Sequence, residues 1–434
     1  MLPHYLTILM LPVVLVSCAG DGPSASSGSG SSALGPENSL AFLSASPSPR
    51  GPVTREQAVR HAVTHSPSLR AERAELRALQ AEIVQAGLPP NPEIALEIEN
   101  FGGSGVTRGF DGAEITSGLS QKIETAGKRP KRARVASLKA EAALAEITAT
   151  KREVAIAADR AFTTLLETRS IREFGELNLA RAEENLSTLN TLLEVGKGNS
   201  IDVNRAKIAV SEAREQLSEA RSAEEKAASH LSLTWGGGSS DVNAHGELIP
   251  PSSKSPTSGE AVIARHPSMH AASLRIALAE ATYELENALG ISDVEFGVGV
   301  REMRDGDETA AVAELSIPLP LFNRNQGNIQ AAAERVKRAR EESRTTESDL
   351  RARLEQLDAE LRAARARVAE FDTRTLDAAR QALADTNEAY TAGKASLLEV
   401  LDTRETLFNI ERGRTRALAD LLRAQRTLES LSRP

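Results

Sequence analysis

Apolar residues recur at helical spacing over long stretches of this chain. One run alternates steps of four and three residues, as in a coiled-coil seam, and consists of Leu350, Leu354, Leu357, Leu361, Ala364, Val368 and Phe371. A second run, from Leu179 to Leu193, has the same spacing. No proline interrupts residues 131–249 or 321–433, and proline ends helices because it lacks the backbone N–H. The pattern predicts two long helices, at about 131–195 and 325–392.

Shorter helices accompany the long ones. Helical spacing predicts them at 54–88, 200–233 and 267–289, and a final helix follows the glycine turn at Gly393. Each long helix would extend about 100 Å at 1.5 Å per residue. The helices at 54–88 and 200–233 together have nearly the length of one long helix. We therefore expect the two short helices to lie end to end alongside the long one.

Four short segments alternate apolar and polar residues, which is typical of strands with two different faces. They are predicted at 94–99, 114–123, 294–301 and 311–317. One face would carry the charged residues Glu97, Glu99, Glu295 and Arg301. The opposite face would carry Ile94, Leu96, Ile98, Val298 and Val300.

The chain repeats the same order of elements at an offset of about 200 residues. Corresponding landmarks are Pro67 and Pro267, Ser120 and Ser316, and Gly196 and Gly393. Such a duplication must be recognised before a fold is assigned, and this repeated unit is far too long for a solenoid. It divides the chain into a first repeat, 54–253, and a second repeat, 254–434. Each repeat is predicted to contain helix, strand, strand, long helix and short helix, a mainly α fold with a small β part.

The strands are too few to close a barrel within one chain. Open strand edges leave backbone groups without hydrogen bonds, which is costly in lipid. Three chains would supply twelve strands, an even number that suits a closed outer-membrane barrel. On the pattern alone, two soluble hairpins on a helical protein remain an alternative.

The N-terminal segment resembles a bacterial lipoprotein signal. An apolar core, Leu6–Val16, is too short to span a membrane and precedes Cys18, the single cysteine of the chain. The resemblance implies a signal peptide at 1–17, acylation of Cys18 and anchoring in the outer membrane. Residues 18–53 are rich in Ser, Gly and Pro and are predicted to form a flexible tether. A plain signal peptide with a coincidental cysteine is the alternative.

Composition and charge narrow the function classes. Aromatic residues make up only 3% of the chain, which favours long helices packed through small side chains. The formal net charge of −8 offers no basic footprint for nucleic acid. No nucleophile–base grouping or phosphate loop stands out, so we expect neither an enzyme nor a bound cofactor.

Two histidine pairs have the spacing of one helical turn. They are His61 with His65 and His266 with His270. A zinc site normally needs three or four ligands, and no further ligand motif accompanies either pair. We interpret them as surface histidines and predict no metal site.

These features together resemble the TolC family of outer-membrane efflux proteins. The resemblance covers residues 54–431, and the motifs QKIETAGKR (121–129) and LSIPLPLFNRNQG (315–327) are similar to the cobalt–zinc–cadmium efflux branch. It implies a homotrimer whose twelve-stranded β-barrel in the outer membrane continues into a long α-helical periplasmic barrel. It further implies a periplasmic adaptor (a membrane fusion protein) and an inner-membrane RND-type pump as partners.

The resemblance also assigns candidate site residues. Glu399 and Asp402 would form acidic rings at a periplasmic gate, with Asp202 as the counterpart in the first repeat. A basic residue locks this gate in some family members, and Lys394 or Arg404 are the candidates here. The adaptor would contact two turns, at Gly196, Lys197 and Gly198 and at Gly393 and Lys394. The charged strand residues would face the water-filled lumen.

The leading hypothesis is a passive exit duct in the outer membrane, conducting divalent heavy-metal cations. A lipid-anchored periplasmic coiled-coil adaptor or scaffold without a barrel is the alternative, and a metal-binding lipoprotein is a third. The cargo, metal ion or drug, and the identity of the pump stay open at this point.

Overall fold

The computed structural model of the protein describes residues 51–250 and 259–432. The first half contains α1 (Arg55–His65), α2 (Pro67–Ala86), β1 (Glu93–Glu99), β2 (Glu114–Ile123), α3 (Lys128–Glu194) and α4 (Ser200–Leu233). The second half contains α5 (Glu260–Ala264), α6 (Pro267–Leu289), β3 (Val294–Met303), β4 (Glu308–Ser316), α7 (Gln326–Glu370), α8 (Leu376–Thr391) and α9 (Leu397–Ser432). The predicted signal peptide, Cys18 and most of the predicted tether lie outside the described residues.

The two halves repeat the predicted order of helix, strand, strand, long helix and short helix, which confirms the predicted fold class. Helix α3 has 67 residues, which corresponds to about 100 Å. In the second half, α7, a π-helical turn at Phe371–Thr375 and α8 follow one another without a break. None of the helices within the described ranges has the length and apolar character needed to cross a membrane.

The short helices stack end to end on the long helix, as their lengths predict. Ala62 of α1 and Leu231 of α4 are both buried against the same part of α3, around Phe162. Trp235, directly after α4, is fully buried in this cluster. A second cluster joins α7 to α9 and includes Leu350 and the other leucines of the predicted seam.

Two predicted boundaries in the first repeat are wrong. The helix expected at 54–88 is broken at Ser66, because the preceding residue of a proline is pushed out of the helical region and Pro67 starts α2. The predicted tether ends too late, since Val53 is buried and its backbone pairs with Asn243 and His245. Val53 belongs to the apolar cluster around Phe162, and burying its side chain there is favourable because it removes apolar surface from water.

A π-helical turn interrupts the second long helix where the sequence predicts continuous α-helix. The ring of Phe371, the first residue of this turn, packs on the backbone of α9, where a Cβ on Gly413 would lie 3.0 Å from Phe371 Cζ. Arg414 and Asp372 form an ion pair at 2.5 Å beside it. Such bulges arise when a packing contact displaces the regular hydrogen-bond ladder.

The four strands form one antiparallel sheet in the order β1-β2-β3-β4. The two hairpins therefore meet at β2 and β3, where Gly118 pairs with Gly299. All four helix connections leave from one end of the sheet, and the turns at 100–113 and 304–307 lie at the other end. At the helix end, buried Lys128 donates to Asp293 at 2.6 Å. This contact ties the start of α3 to the start of β3.

Candidate functional site

The pairing register produces one acidic face and one apolar face on the sheet. Charged residues of the acidic face are Glu93, Glu97, Glu99, Glu114, Lys122, Glu295, Arg301, Glu308 and Glu314. Large apolar residues of the other face are Ile94, Leu96, Ile98, Ile115, Leu119, Ile123, Val294, Phe296, Val298, Val300 and Leu315. The register thus brings the predicted lumen residues together on one face.

Arginine neutralises only part of the acidic face. Arg301 Nη1 lies 3.2 Å from Glu114 Oε2, and its Nη2 lies 3.6 Å from Glu99 Oε2. The Glu295 carboxylate accepts a hydrogen bond from the Ser120 hydroxyl at 2.8 Å. Acidic residues outnumber basic ones on this face, so it is negative overall. Sequence alternation had identified β1 and β3 residues, and the pairing register adds those of β2 and β4.

The two turns at the opposite end of the molecule have the same backbone arrangement. Gly196 and Gly393 have φ angles of 73° and 72°, a left-handed conformation that favours glycine after a helix end. The next residue, Lys197 or Lys394, donates its N–H to a carbonyl five residues earlier, at 2.9 and 2.8 Å. A Cβ on Gly198 would lie 2.5 Å from a backbone nitrogen of α3.

An apolar cluster holds these two turns together. Leu189 of α3, Val203 of α4 and Leu397 of α9 are buried there, with Tyr390 and Leu401 packed against them. Both helical hairpins therefore end side by side. We call this end of the molecule, residues 189–206 and 390–404, the tip.

All three predicted gate acids lie at the tip, where Glu399 and Asp402 are exposed and Asp202 is partly buried. Glu399 caps the start of α9 by accepting hydrogen bonds from the Ser396 N–H at 2.6 Å and from its hydroxyl at 2.9 Å. These two bonds lower the pKa of Glu399. Asp402 follows one turn later and is exposed. None of the ion pairs within 51–250 and 259–432 involves Glu399 or Asp402. Asp202 Oδ1 lies 4.0 Å from Arg205 Nη1.

The two candidate lock residues are placed differently. Lys394 is exposed in its turn. Arg404 is directed at α3, where the Asn185 side-chain oxygen accepts from both guanidinium nitrogens, at 2.7 and 3.0 Å, once the amide is oriented toward them. Burial, followed by the charge of Arg181, lowers the pKa of Arg404. Within one chain, Arg404 therefore contacts an amide and no gate acid.

Two tip residues escaped sequence analysis. Tyr390 lies at the end of α8, and burial together with the negative charge of Asp202 raises its pKa. Ser396 is the second, although the spacing Ser-x-x-Glu is a known helix-start motif that could have identified it. Tyr390 had no such signal, because its neighbour is distant in sequence.

The histidine pairs differ from the prediction in one respect. The rings of His61 and His65 lie 4.1 Å apart, beside Trp235. His266 is buried and not on the surface, since it caps α6 by accepting from the Ser268 N–H at 3.2 Å. Burial lowers the pKa of His266 to about 4. No group of three or more potential metal ligands occurs in the part of the chain that the structure describes.

A family model described as outer membrane efflux protein matches residues 58–237 and 259–432. The chain belongs to this family. The sequence prediction of TolC-family membership is therefore confirmed. The chain is an outer-membrane efflux channel that extends into the periplasm, and it is a transporter and not an enzyme. Members of this family form homotrimers that work with an adaptor and an inner-membrane pump.

Similarity to individual proteins agrees with this family. The chain is 26% identical over 360 residues to the cobalt-zinc-cadmium resistance protein CzcC of Cupriavidus metallidurans, covering 82% of this chain and 84% of CzcC. Its fold is similar to that of the outer membrane protein VceC from Vibrio cholerae, with a TM-score of 0.71 at 20% identity, covering 87% of this chain and 96% of VceC. The outer-membrane channel OprN has a TM-score of 0.73 at 16% identity, with coverages of 87% and 89%.

Proposed function

We propose that three copies of this chain assemble into the exit duct of a tripartite efflux system for divalent heavy-metal cations. The observation that carries the proposal is the two-faced sheet. Four strands cannot enclose a pore, whereas twelve strands from three chains can. In that assembly the acidic face lines the lumen and the apolar face contacts lipid. The charged side chains then stay hydrated, and no charge is buried in the apolar part of the bilayer.

Two features support a cationic cargo. Carboxylates dominate the proposed lumen face, and rings of acidic side chains favour cation passage. The similar protein CzcC is named for resistance to cobalt, zinc and cadmium, and its similarity spans most of both chains. The duct itself supplies no energy in this proposal, because an RND-type pump in the inner membrane drives the transport.

The tip is proposed as the gate and the adaptor contact. Glu399 and Asp402 of three chains would form two acidic rings, and Asp202 would add a third charge from each first repeat. The turns with Gly196, Lys197 and Gly198 and with Gly393 and Lys394 would contact the helical hairpin of the adaptor. Exposure of both lysine residues supports this assignment.

Besides the β-barrel, acylation of Cys18 is proposed to attach the protein to the membrane. Each buried CH₂ of an acyl chain contributes about 0.8 kcal/mol, and stable anchoring takes more than one chain. A multiply acylated cysteine meets that requirement. The Ser/Gly/Pro-rich segment after it would connect the anchor to α1.

Deletion of the gene tests the cargo assignment. We expect the deletion strain to lose tolerance to cobalt, zinc and cadmium salts several-fold, and a wild-type copy to restore it. Tolerance to organic drugs should stay unchanged, because the pump selects the cargo. Loss of tolerance to organic drugs alone would overturn the metal assignment and leave the efflux channel itself intact.

A further inference from the structure

A run of exposed apolar residues connects β4 to α7. This segment, 317–322, contains Ile317, Leu319, Leu321 and Phe322. The Phe322 side chain is 91% exposed and that of Leu319 is 75% exposed. We call residues 317–322 the proline segment, because Pro318 and Pro320 separate its apolar residues. Large exposed apolar patches mark surfaces that contact a partner or a membrane.

The proline segment continues, in sequence, the alternation that places apolar residues on one face of β4. In β4 the odd-numbered residues, ending with Leu315, belong to that face. Beyond the strand end at Ser316, the odd positions 317, 319 and 321 are again apolar. The two prolines stop strand pairing here, since they cannot donate to a ladder. The run of apolar residues therefore extends beyond the end of β4 into a segment that is not a strand.

Residues at and just before the start of α7 hold the backbone of the proline segment. Arg324 Nε donates to the Pro320 carbonyl at 3.2 Å, and Gln326 Nε2 donates to the Phe322 carbonyl at 3.2 Å. The N–H of Leu321 donates to the carbonyl of Leu319 at 2.9 Å. Polar backbone groups must be satisfied before a segment can enter an apolar environment. These bonds satisfy one N–H and three carbonyls of the segment, and its remaining backbone groups need water or headgroups, which an interfacial position supplies.

The sheet alone is too short for the apolar band of an outer membrane. On β2 the apolar face runs from Ile115 to Ile123, about 26 Å along the strand at 3.3 Å per residue. With a strand tilt of about 40°, this corresponds to about 20 Å across the membrane, against about 25 Å for the usual band. Residues beyond the strand ends must supply the difference.

Aromatic residues lie at both ends of the sheet, where such bands have their aromatic girdles. At the far end, the rings of Phe101 and Phe110 stack with centroids 5.3 Å apart. At the helix end, Phe322 is followed by Asn323 and Arg324, polar residues of the kind that flank an interface. The low aromatic content of the chain is thus partly concentrated where a membrane boundary would fall.

We infer that the proline segment is an interfacial membrane contact, seated at the headgroup–acyl boundary of the inner leaflet of the outer membrane. The inference rests on the proposed function, because it needs the apolar face of the sheet to meet lipid. Its partner is a phospholipid surface: the apolar side chains enter the outermost acyl region, and the Arg324 guanidinium lies at the level of the phosphates. The segment sets the depth of the channel in the bilayer.

Tryptophan reporters test the inference. The single native tryptophan, Trp235, is fully buried, so it contributes a constant background. Separate variants carry Phe322→Trp and Leu319→Trp in the proline segment, Val298→Trp on the apolar face, and Glu341→Trp on an exposed part of α7. Each is reconstituted in phosphatidylcholine bilayers brominated near the headgroup or near the bilayer centre, and iodide serves as the aqueous quencher.

We expect headgroup-proximal bromine to remove at least half of the added fluorescence of Phe322→Trp and Leu319→Trp. Bromine at the bilayer centre should quench them less than it quenches Val298→Trp, and Glu341→Trp should respond to iodide alone. Quenching of both segment reporters by iodide alone overturns the inference, and quenching by neither agent overturns it in favour of a contact with a second copy. If Val298→Trp also escapes lipid quenching, the proposed function fails together with the inference.

Discussion

At the residue scale, a serine favours the ionised form of one acid of the proposed gate. Ser396 donates two hydrogen bonds to the Glu399 carboxylate, and both favour the ionised form, which lowers the pKa of Glu399. A lowered pKa means that the negative charge persists as the pH falls below the ordinary range of a glutamate. Asp402, one turn further along the same helix face, has no such donor in the described structure.

Removing both acids should weaken the cation preference of the channel. We expect Glu399→Ala combined with Asp402→Ala to lower the cation-to-anion permeability ratio of the channel several-fold, because no fixed charge then remains in the two rings. Reversal potentials in planar lipid bilayers measure this ratio. Glu388→Ala, an exposed acid one turn before Gly393, is the matched control and should leave it unchanged. An unaltered ratio in the double variant refutes the gate assignment.

The pH dependence follows from the hydrogen bonds of Ser396. Since the pKa of Glu399 is depressed, its charge is present above that value and disappears as the pH falls through it. Ser396→Ala removes the hydroxyl donor and should move the loss of cation preference to higher pH than in the wild type. The same reversal potentials, recorded from neutral to acidic pH, give the two midpoints. A variant midpoint equal to or below that of the wild type contradicts the prediction.

Sequence reasoning found some of these residues and missed others for one reason. Glu399 and Asp402 belong to one helix and could be placed by spacing alone. The effect of the Asp202 charge on Tyr390 and the Arg404–Asn185 contact each involve two different helices. The residues of each pair lie about 190 and about 220 positions apart in the sequence. Such contacts depend on how the two hairpins dock, which spacing within one helix does not encode.

At the element scale, a pair of glycines determines how closely the two hairpins of the sheet approach. Gly118 of β2 and Gly299 of β3 are directly opposite each other. A Cβ on Gly299 would lie 2.7 Å from the Ser117 carbonyl oxygen and 3.0 Å from the Gly118 Cα. Both atoms belong to the backbone of the neighbouring strand, so a side chain here cannot be accommodated by a rotamer change.

Alanine at this position should loosen the junction between the repeats. We expect Gly299→Ala to destabilise the folded protein by about 1–3 kcal/mol, since overpacking forces a backbone shift. Gly297→Ala is the matched control: it lies two residues away on the same face, where a Cβ would meet neighbours only at 3.6 Å or more. The midpoint of thermal unfolding in detergent measures both. Equal midpoints for the two variants would show that β2 and β3 tolerate a wider spacing.

Most element boundaries followed from local sequence, and the exceptions have tertiary causes. The bounds 114–123, 200–233 and 267–289 agree with the structure, because alternation, proline and glycine act locally. The π-helical turn at Phe371–Thr375 occurs where the Phe371 ring packs against α9, a contact between segments distant in sequence. Burial of Val53 likewise depends on a cluster built from α1, α3 and α4.

At the scale of the whole molecule, the two repeats are joined by α9 as well as by the sheet. Arg423 of α9 contacts Glu167 of α3 at 2.8 Å, and Arg426 of α9 lies 3.7 Å from buried Asp159. Burial raises the pKa of Asp159, which Arg426 and Arg55 counteract. The repeats therefore form one continuous body, and the unpaired edges of the sheet, β1 and β4, lie on its two sides.

Those two edges lead to a prediction about assembly. We expect the protein extracted in mild detergent to migrate as a trimer without heating and as a single chain after boiling. The reason is that the edge strand β1 of one copy would form hydrogen bonds with the edge strand β4 of the next. Gel electrophoresis with and without heating measures this change, and chemical cross-linking of a separate sample gives the number of chains. A periplasmic scaffold without a barrel would give only heat-independent migration, and that result would support the alternative function.

The sequence by itself determined the duplication, the lengths of the helices, the alternation of the strands and, through its resemblance to the TolC family, the class of function. These properties are local or periodic, so each is encoded in consecutive residues. Only the tertiary structure decided which strand residues share a face across four strands, how the turns meet at the tip, and which side chain Arg404 contacts. These properties depend on how segments about 200 residues apart in the sequence pack together, which no pattern of consecutive residues encodes.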